Sequence, residues 1–276
     1  MSNSIKIYQI YFKPEQREHL DPNCVPVDNT ENPRPELREY DVWLRHFDEA
    51  QQASDLYGYV SWKVVEKLGL GATQMREHVE SNPGHDVYLF NPCIANEALF
   101  ANPWAQGDIH HPNISEIANR FLAKLGYKDY NVRDFLLDRS RVVFANYFIA
   151  TRKFWADYMG WIGKMFEFSE QDPVFKDDVF GFGKSNYAHD KTLPNFIFLV
   201  ERLLPTFIDI TNASSCPYQY TTDTVPQKYG PVIGDITALS ELKVLANKYD
   251  SDELYSIWNF YRKQLLDRHK NILNLE

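Results

Sequence analysis

Cysteine is scarce: Cys24, Cys93 and Cys216 are the only three in 276 residues, widely separated and odd in number. Such a set forms neither a disulfide framework nor a paired-cysteine zinc site, and it suits a reducing compartment. Long apolar runs are missing as well. No stretch approaches the roughly 18 consecutive apolar residues of a membrane span. The opening MSNSIKIYQIYF lacks the cationic start and long apolar core of a secretory signal. A third absence is clustered positive charge: 29 Lys and Arg stand against 38 Asp and Glu, for a net charge of −9. Affinity for a phosphate polyanion needs a basic patch, so nucleic acid is not an expected partner. The expectation is a cytoplasmic protein without a transmembrane segment, any association with the inner face of a membrane being peripheral.

Several chemistry-bearing motifs are also lacking. There is no Gly-x-x-x-x-Gly-Lys-Ser/Thr phosphate loop, no Gly-x-Gly-x-x-Gly after a strand, no His-Glu-x-x-His and no Gly-x-Ser-x-Gly elbow. Gly181-Phe182-Gly183 stands alone, with no helix start behind it.

Aromatic residues, by contrast, are plentiful: 17 Tyr, 18 Phe and 6 Trp make 15% of the chain. Flat, half-polar rings suit a thick core or a cleft that stacks on sugars and bases. Ile5–Phe12, Cys24–Val27, Asp86–Phe90 and Val142–Ala150 read as strands, being rich in β-branched and aromatic residues. Asp55–Gly69 combines an aromatic stretch with a helix-compatible run. Helices are predicted over Ala72–Glu80, Ile114–Leu125, Lys153–Phe166 and Leu193–Ile210, and from Glu36 a helix or mixed segment. Asp172–Lys191 reads as an acidic, Gly-rich loop and Ser214–Gly234 as a long polar one. At the end of the chain Leu254, Ile257, Trp258, Tyr261, Leu265, His269 and Ile272 mark one helix face. Strands alternating with helices give an α/β class.

Two groups could carry chemistry on residue type alone. Asp108-Ile109-His110-His111 is the nearest thing to a metal cluster, with loop-structural histidines as the alternative. Glu201 follows five apolar residues and precedes Arg202. It is therefore either half of a Glu–Arg pair anchoring a helix or a carboxylate facing a cleft. The acid pair Asp177-Asp178 reads as solvated.

Four segments taken in order carry a resemblance. They are Glu36–Tyr40 with Tyr57-Gly58-x-x-Ser61-Trp62-Lys63; Asp86-Val87-Tyr88 running to Asn91-Pro92; Trp104–Pro112; and Asn146-Tyr147 followed by Phe154-Trp155. Together they resemble short glycosyltransferases that build bacterial surface polysaccharides, and Glu201-Arg202-Leu203 resembles the helix of related capsular sugar transferases. The likeness spans roughly residues 5–210. It implies a single Rossmann-like, GT-A-like domain over residues 1–235, with residues 236–276 as a helical extension packed on it. It also implies a nucleotide-sugar donor and a saccharide or glycolipid acceptor.

Ligands of such sheets sit beyond the carboxyl ends of the strands, so Phe12, Asp28, Asn91 and Asn146 are expected around one cleft. Many enzymes of this architecture hold Mn²⁺ or Mg²⁺ with an Asp-x-Asp at a strand end. Here the strand ends in Phe90-Asn91-Pro92, and no metal ligand is assigned; Asp108 and His110 are the nearest substitutes. Glu201 is expected as catalytic base, with Asp108 and then His110 behind it. Tyr8, Asp28, Asn29, Trp62, Lys63, Asn91 and Arg202 are the expected donor-binding residues. Gln106, His111 and Asn146 are those for the acceptor. Tyr8, an aromatic inside a strand, reads more readily as a core ring, while Asp28-Asn29 reads equally as a turn and Trp62-Lys63 equally as helix packing. The rival functions are a non-catalytic carbohydrate-binding or assembly protein and a metal hydrolase built on Asp108, His110 and His111.

Overall fold

The computed structural model describes residues 3–183, 193–221, 224–225 and 227–273. In chain order the elements open with β1 (Ile5–Tyr11), β2 (Val25–Asp28), α1 (Glu39–Ala53), β3 (Leu56–Ser61), α2 (Val64–Leu68) and α3 (Ala72–Ser81). Next come β4 (Val87–Leu89), α4 (Ile94–Leu99), α5 (Pro103–His110), α6 (Ile114–Lys124), β5 (Phe148–Thr151) and α7 (Arg152–Gln171). The chain continues through α8 (Pro173–Phe180), β6 (Phe182–Gly183), β7 (Leu193–Pro194), α9 (Asn195–Thr211) and β8 (Ser215–Pro217). It closes with α10 (Ile233–Tyr249) and α11 (Asp252–Leu273).

Six strands form one mixed sheet in the order β2-β1-β3-β5-β4-β8, and β6 pairs with β7 separately. All neighbours in the large sheet are parallel except those of β5, which runs antiparallel to β3 and β4. The class is α/β, as the alternation of elements implies, and the sheet is compatible with a Rossmann-like domain.

The sheet is covered on both sides, which is why β1 is buried along its last five residues instead of alternating. Tyr8 and Ile10 enter the larger core with α1, α7 and α9, whereas Ile7 enters a second core with α2 and α3. Helix α1 forms because Tyr40, Trp43, Phe47 and Ala50 recur at helical spacing and share that larger core. Trp43 meets Trp155 edge-on at 5.3 Å, and Trp155 Nε1 donates to the Tyr57 carbonyl. Gly58 has a spatial reason: a Cβ there would lie 2.1 Å from the Phe148 carbonyl of neighbouring β5.

The last two helices pack on α4 through a separate core containing Ala98, Leu99, Ile236, Leu239, Trp258 and Leu265. Lys243 is fully buried there, donating to the Glu97 and Phe100 carbonyls at 2.5 and 2.9 Å. It also pairs with the Glu97 carboxylate at 3.3 Å.

Four sequence expectations need correction. Val142–Ala150 is a strand only from Phe148 onward. Before that, side chains take the partners a ladder would supply: Asn91 Oδ1 accepts from the Phe144 N–H and Glu201 Oε1 from the Ala145 N–H. Asp172–Lys191 is not all loop, because Asp172 caps α8 by accepting from Val174 and Phe175, with Pro173 at its first position. The remainder of that stretch, from residue 184, lies outside the described residues. Ser214–Gly234 supplies the edge strand β8 and a 3-10 turn over Gln227–Val232. On α11, Trp258 and Leu265 face the core while Ile257 and Tyr261 are exposed; the Ile272 side chain lies outside the described set.

Candidate functional site

The crossovers from β1 to β2 and onward to β3 leave β1 in opposite directions, so the carboxyl ends of β1 and β3 form a topological switch point. Open α/β sheets bind ligands in the crevice at such a point. Asn146 precedes β5, but β5 is antiparallel, so its amino end shares the edge with the carboxyl ends of β1, β2 and β4. Phe12, Asp28, Asn91 and Asn146 therefore do lie along one edge.

A cavity of about 160 Å³ opens at this edge between α1, α9 and the segment leading into β5. Its polar lining is Arg38, Glu39, Lys67, Asn146, Tyr147 and Glu201. Three of the seven non-glycine residues with positive φ among the described residues stand here: Arg38 (φ 52°), Ala145 (φ 63°) and Asn146 (φ 55°). Such conformations are disfavoured for side-chain-bearing residues and persist where the surroundings impose them, often at functional sites. Asn146 Oδ1 is buried and has no hydrogen-bond partner among the described residues. Glu201 is held by the Ala145 N–H at 3.0 Å and approached by Arg202 at 3.5 Å, with its side chain 29% exposed.

Tyr147 ties this cavity to the end of β3. Its hydroxyl lies 2.5 Å from Ser61 Oγ and contacts the Lys67 amino group. Burial raises the Tyr147 pKa, with Lys67 opposing it. Burial is the largest single effect on Lys67 and lowers its pKa, but Tyr147, Glu39 and Cys93 together outweigh it and the ammonium ends above its ordinary value. Arg38, Glu39, Lys67 and Tyr147 were not anticipated as site residues. Their only sequence trace is their position within segments that carry the resemblance or just after them.

Other expected residues are placed elsewhere. Tyr8 is a core ring stacked on Tyr59 at 5.1 Å. Asp28 shapes a turn, accepting from Thr30 and from the Tyr11 hydroxyl, and these bonds hold its carboxyl below the usual range. Asn29 is buried and accepts from Arg45. Asn91 closes a turn through the Cys93 N–H. Trp62 and Lys63 do sit half-exposed at the end of β3, where the Lys63 ammonium lies 5.0 Å from the Trp62 ring centre.

Arg202 is no phosphate ligand in this arrangement. It is 2% exposed and ties α9 to α5, donating to the Pro103 and Phe198 carbonyls and to Gln106 Oε1. Gln106 is thereby consumed as well. Gly107 lets the guanidinium pass, since a Cβ there would lie 2.5 Å from Arg202 Nε. Asp108 turns away from the cavity, accepting from Ser115 and pairing with Arg133 at 3.0 Å. The chemistry expected of Asp108 has no free carboxylate to use. His110 and His111 are buried, and His111 stacks on Phe198 with ring centres 3.5 Å apart. Among the described residues, no three His, Cys, Asp or Glu side chains converge as a metal site. No described helix is long and apolar enough to cross a membrane.

Burial, aided by the neighbouring Arg202 charge, holds His111 down to about 3 from its ordinary 6.5. The unfolded chain thus binds a proton that the folded chain refuses between these values. Stability from this group is complete above pH 6.5 and is lost as pH falls toward 3. The melting temperature is expected to drop across that window, and His111→Gln to flatten the drop; an unchanged pH profile would refute this assignment.

Compared with family models, with curated proteins and with solved structures, the chain matches none.

Proposed function

We propose that this chain is a glycosyltransferase of GT-A-like architecture, moving a sugar from a nucleotide-sugar donor to a saccharide acceptor. The observation that carries the reading is one cavity at the sheet's carboxyl edge that combines the Glu201 carboxylate with Arg38 and Lys67. Sugar transfer asks for that combination. A base takes the acceptor hydroxyl proton as its oxygen bonds to the anomeric carbon. The bond from that carbon to the donor phosphate breaks, and its electron pair leaves on the nucleotide diphosphate. Glu201 would accept the proton. Arg38 and Lys67 would meet the developing phosphate charge, replacing the Lys63 and Arg202 expected from sequence. The residues at the strand ends do not fit a protein-held Mn²⁺ or Mg²⁺ site, so no step is routed through one.

A glycan-binding role without catalysis is the second reading. It is favoured by another cavity of about 80 Å³ at the same edge, lined by Tyr218, Gln219, Tyr220 and the Arg139–Glu241 pair. The hydrolase reading loses its basis once Asp108 is engaged by Ser115 and Arg133.

The test is a thermal-shift series with UDP, GDP, CMP and dTDP and their sugars, since a ligand of the folded state raises the melting temperature by mass action. One nucleotide class is expected to stabilise the wild type. Arg38→Ala and Lys67→Met are each expected to weaken that binding by about tenfold, the loss of one charge-assisted contact. No response to any nucleotide, together with a response to oligosaccharides, would replace the transferase reading with the glycan-binding one.

A further inference from the structure

The α10–α11 hairpin presents a face that nothing in the described chain covers. Helix α10 is apolar on both sides. Ile236 and Leu239 face the core under α4, with Leu242 half-buried against it, while Ala238 and Leu245 are exposed on the other side. An apolar stripe on the side of a helix turned from its core is ordinarily covered by another element. Asp235, Ala238, Leu245 and Tyr249 are exposed, and with Leu242 at the margin of the core they follow alternating steps of three and four. On α11, Ile257, Tyr261, Gln264 and Arg268 repeat the pattern in steps of four, three and four. These are the seam positions of helices that pack side by side in bundles. Between the two stripes runs a groove of about 480 Å³, lined among others by Leu242, Leu245, Tyr261 and Arg268. Tyr249, Ile257, Phe260 and Tyr261 are 43–62% exposed, a concentration of bare large side chains within thirteen residues.

The charges at the groove's ends indicate the occupant. The helices are antiparallel, so Asp235 at the start of α10 lies beside the end of α11, where His269 approaches it at 3.8 Å and Arg268 lines the groove. A two-fold axis along the hairpin sets α10 of one copy against α11 of the other. Asp235 then meets Arg268 of the second copy, and Leu245 meets its Ile257. An isologous interface needs this kind of self-complementarity. An anionic lipid surface would instead be repelled by Asp235 on the groove wall.

We infer that this face is a homodimer interface in which two hairpins close into a four-helix bundle. Sedimentation equilibrium of the full chain over a concentration series tests it. The wild type is expected at twice the 32.4 kDa chain mass. Leu245→Asp and Tyr261→Asp are expected to give monomers with unchanged circular dichroism. Asp235→Lys or Arg268→Asp alone should weaken the dimer by about tenfold, and the two together should restore it, since the pair is re-formed with its signs exchanged. A wild type that is monomeric at every concentration would overturn the inference. So would a dimer indifferent to all four substitutions, or a monomer that sediments with phosphatidylglycerol vesicles.

Discussion

Glu201→Gln is expected to lower sugar transfer by roughly 10²–10⁴-fold, the usual cost of removing a general base. The substitution is nearly isosteric, and the amide oxygen can still accept from the Ala145 N–H that Glu201 Oε1 holds at 3.0 Å. The left-handed turn at Ala145 and Asn146 should therefore survive, along with the cavity. Arg202 keeps its carbonyl and Gln106 partners, so its approach to Glu201 at 3.5 Å is dispensable. The expected pattern is a collapse of kcat with unchanged melting temperature and unchanged nucleotide affinity. Activity within a few-fold of wild type would remove Glu201 from the reaction. Loss of nucleotide binding at the same time would instead make it a structural strut of the cavity.

Lys243→Met is expected to destabilise the folded chain by about 3–5 kcal/mol, because it strands the Glu97 carboxylate in the third core. Lys243 is fully enclosed. Burial pulls its ammonium pKa down, with Glu97 opposing that effect. Its three contacts join α10 to the C-terminal end of α4. The carbonyls of Glu97 and Phe100 also lose a donor, which adds to the penalty. A second substitution, Glu97→Leu, should recover much of the loss, since an apolar pair of similar volume often matches a buried ion pair. Urea unfolding followed by circular dichroism reads both effects. A single-variant loss below about 1 kcal/mol would mean that water reaches the pair.

Much of the architecture was legible from local pattern. Ile5–Phe12 declared itself by a run of β-branched and aromatic residues, and the structure pairs Ile5–Ile10 with β3 and Tyr8–Tyr11 with β2. Ile114, Ile117, Ala118, Phe121 and Leu122 are all buried on one face of α6, as their spacing required. Helix α10 falls within the helical extension expected over residues 236–276, but periodicity did not locate it, because its apolar residues are not confined to one face. The loop from Val142 to Tyr147 misled for a different reason. Its composition is that of a strand, but Asn91 and Glu201, about 50 residues away on either side, claim its amide groups.

The site divides the same way. Glu201 was recognisable as a carboxylate displaced from its usual setting, flanked by apolar residues. Whether it faced a cleft or served Arg202 depended on the turn of α9 and on what stood opposite. The sequence by itself determined the α/β class, the wealth of aromatic rings and the presence of a costly carboxylate near residue 200, because these follow from residue type and short-range spacing. Only the tertiary structure decided that Arg202 is a strut, that Asp108 belongs to Arg133, and that Arg38, Lys67 and Asn146 join Glu201 in one cavity. Those residues lie up to 163 positions apart. Charge pairing and cavity formation act through space, and no spacing along the chain encodes them.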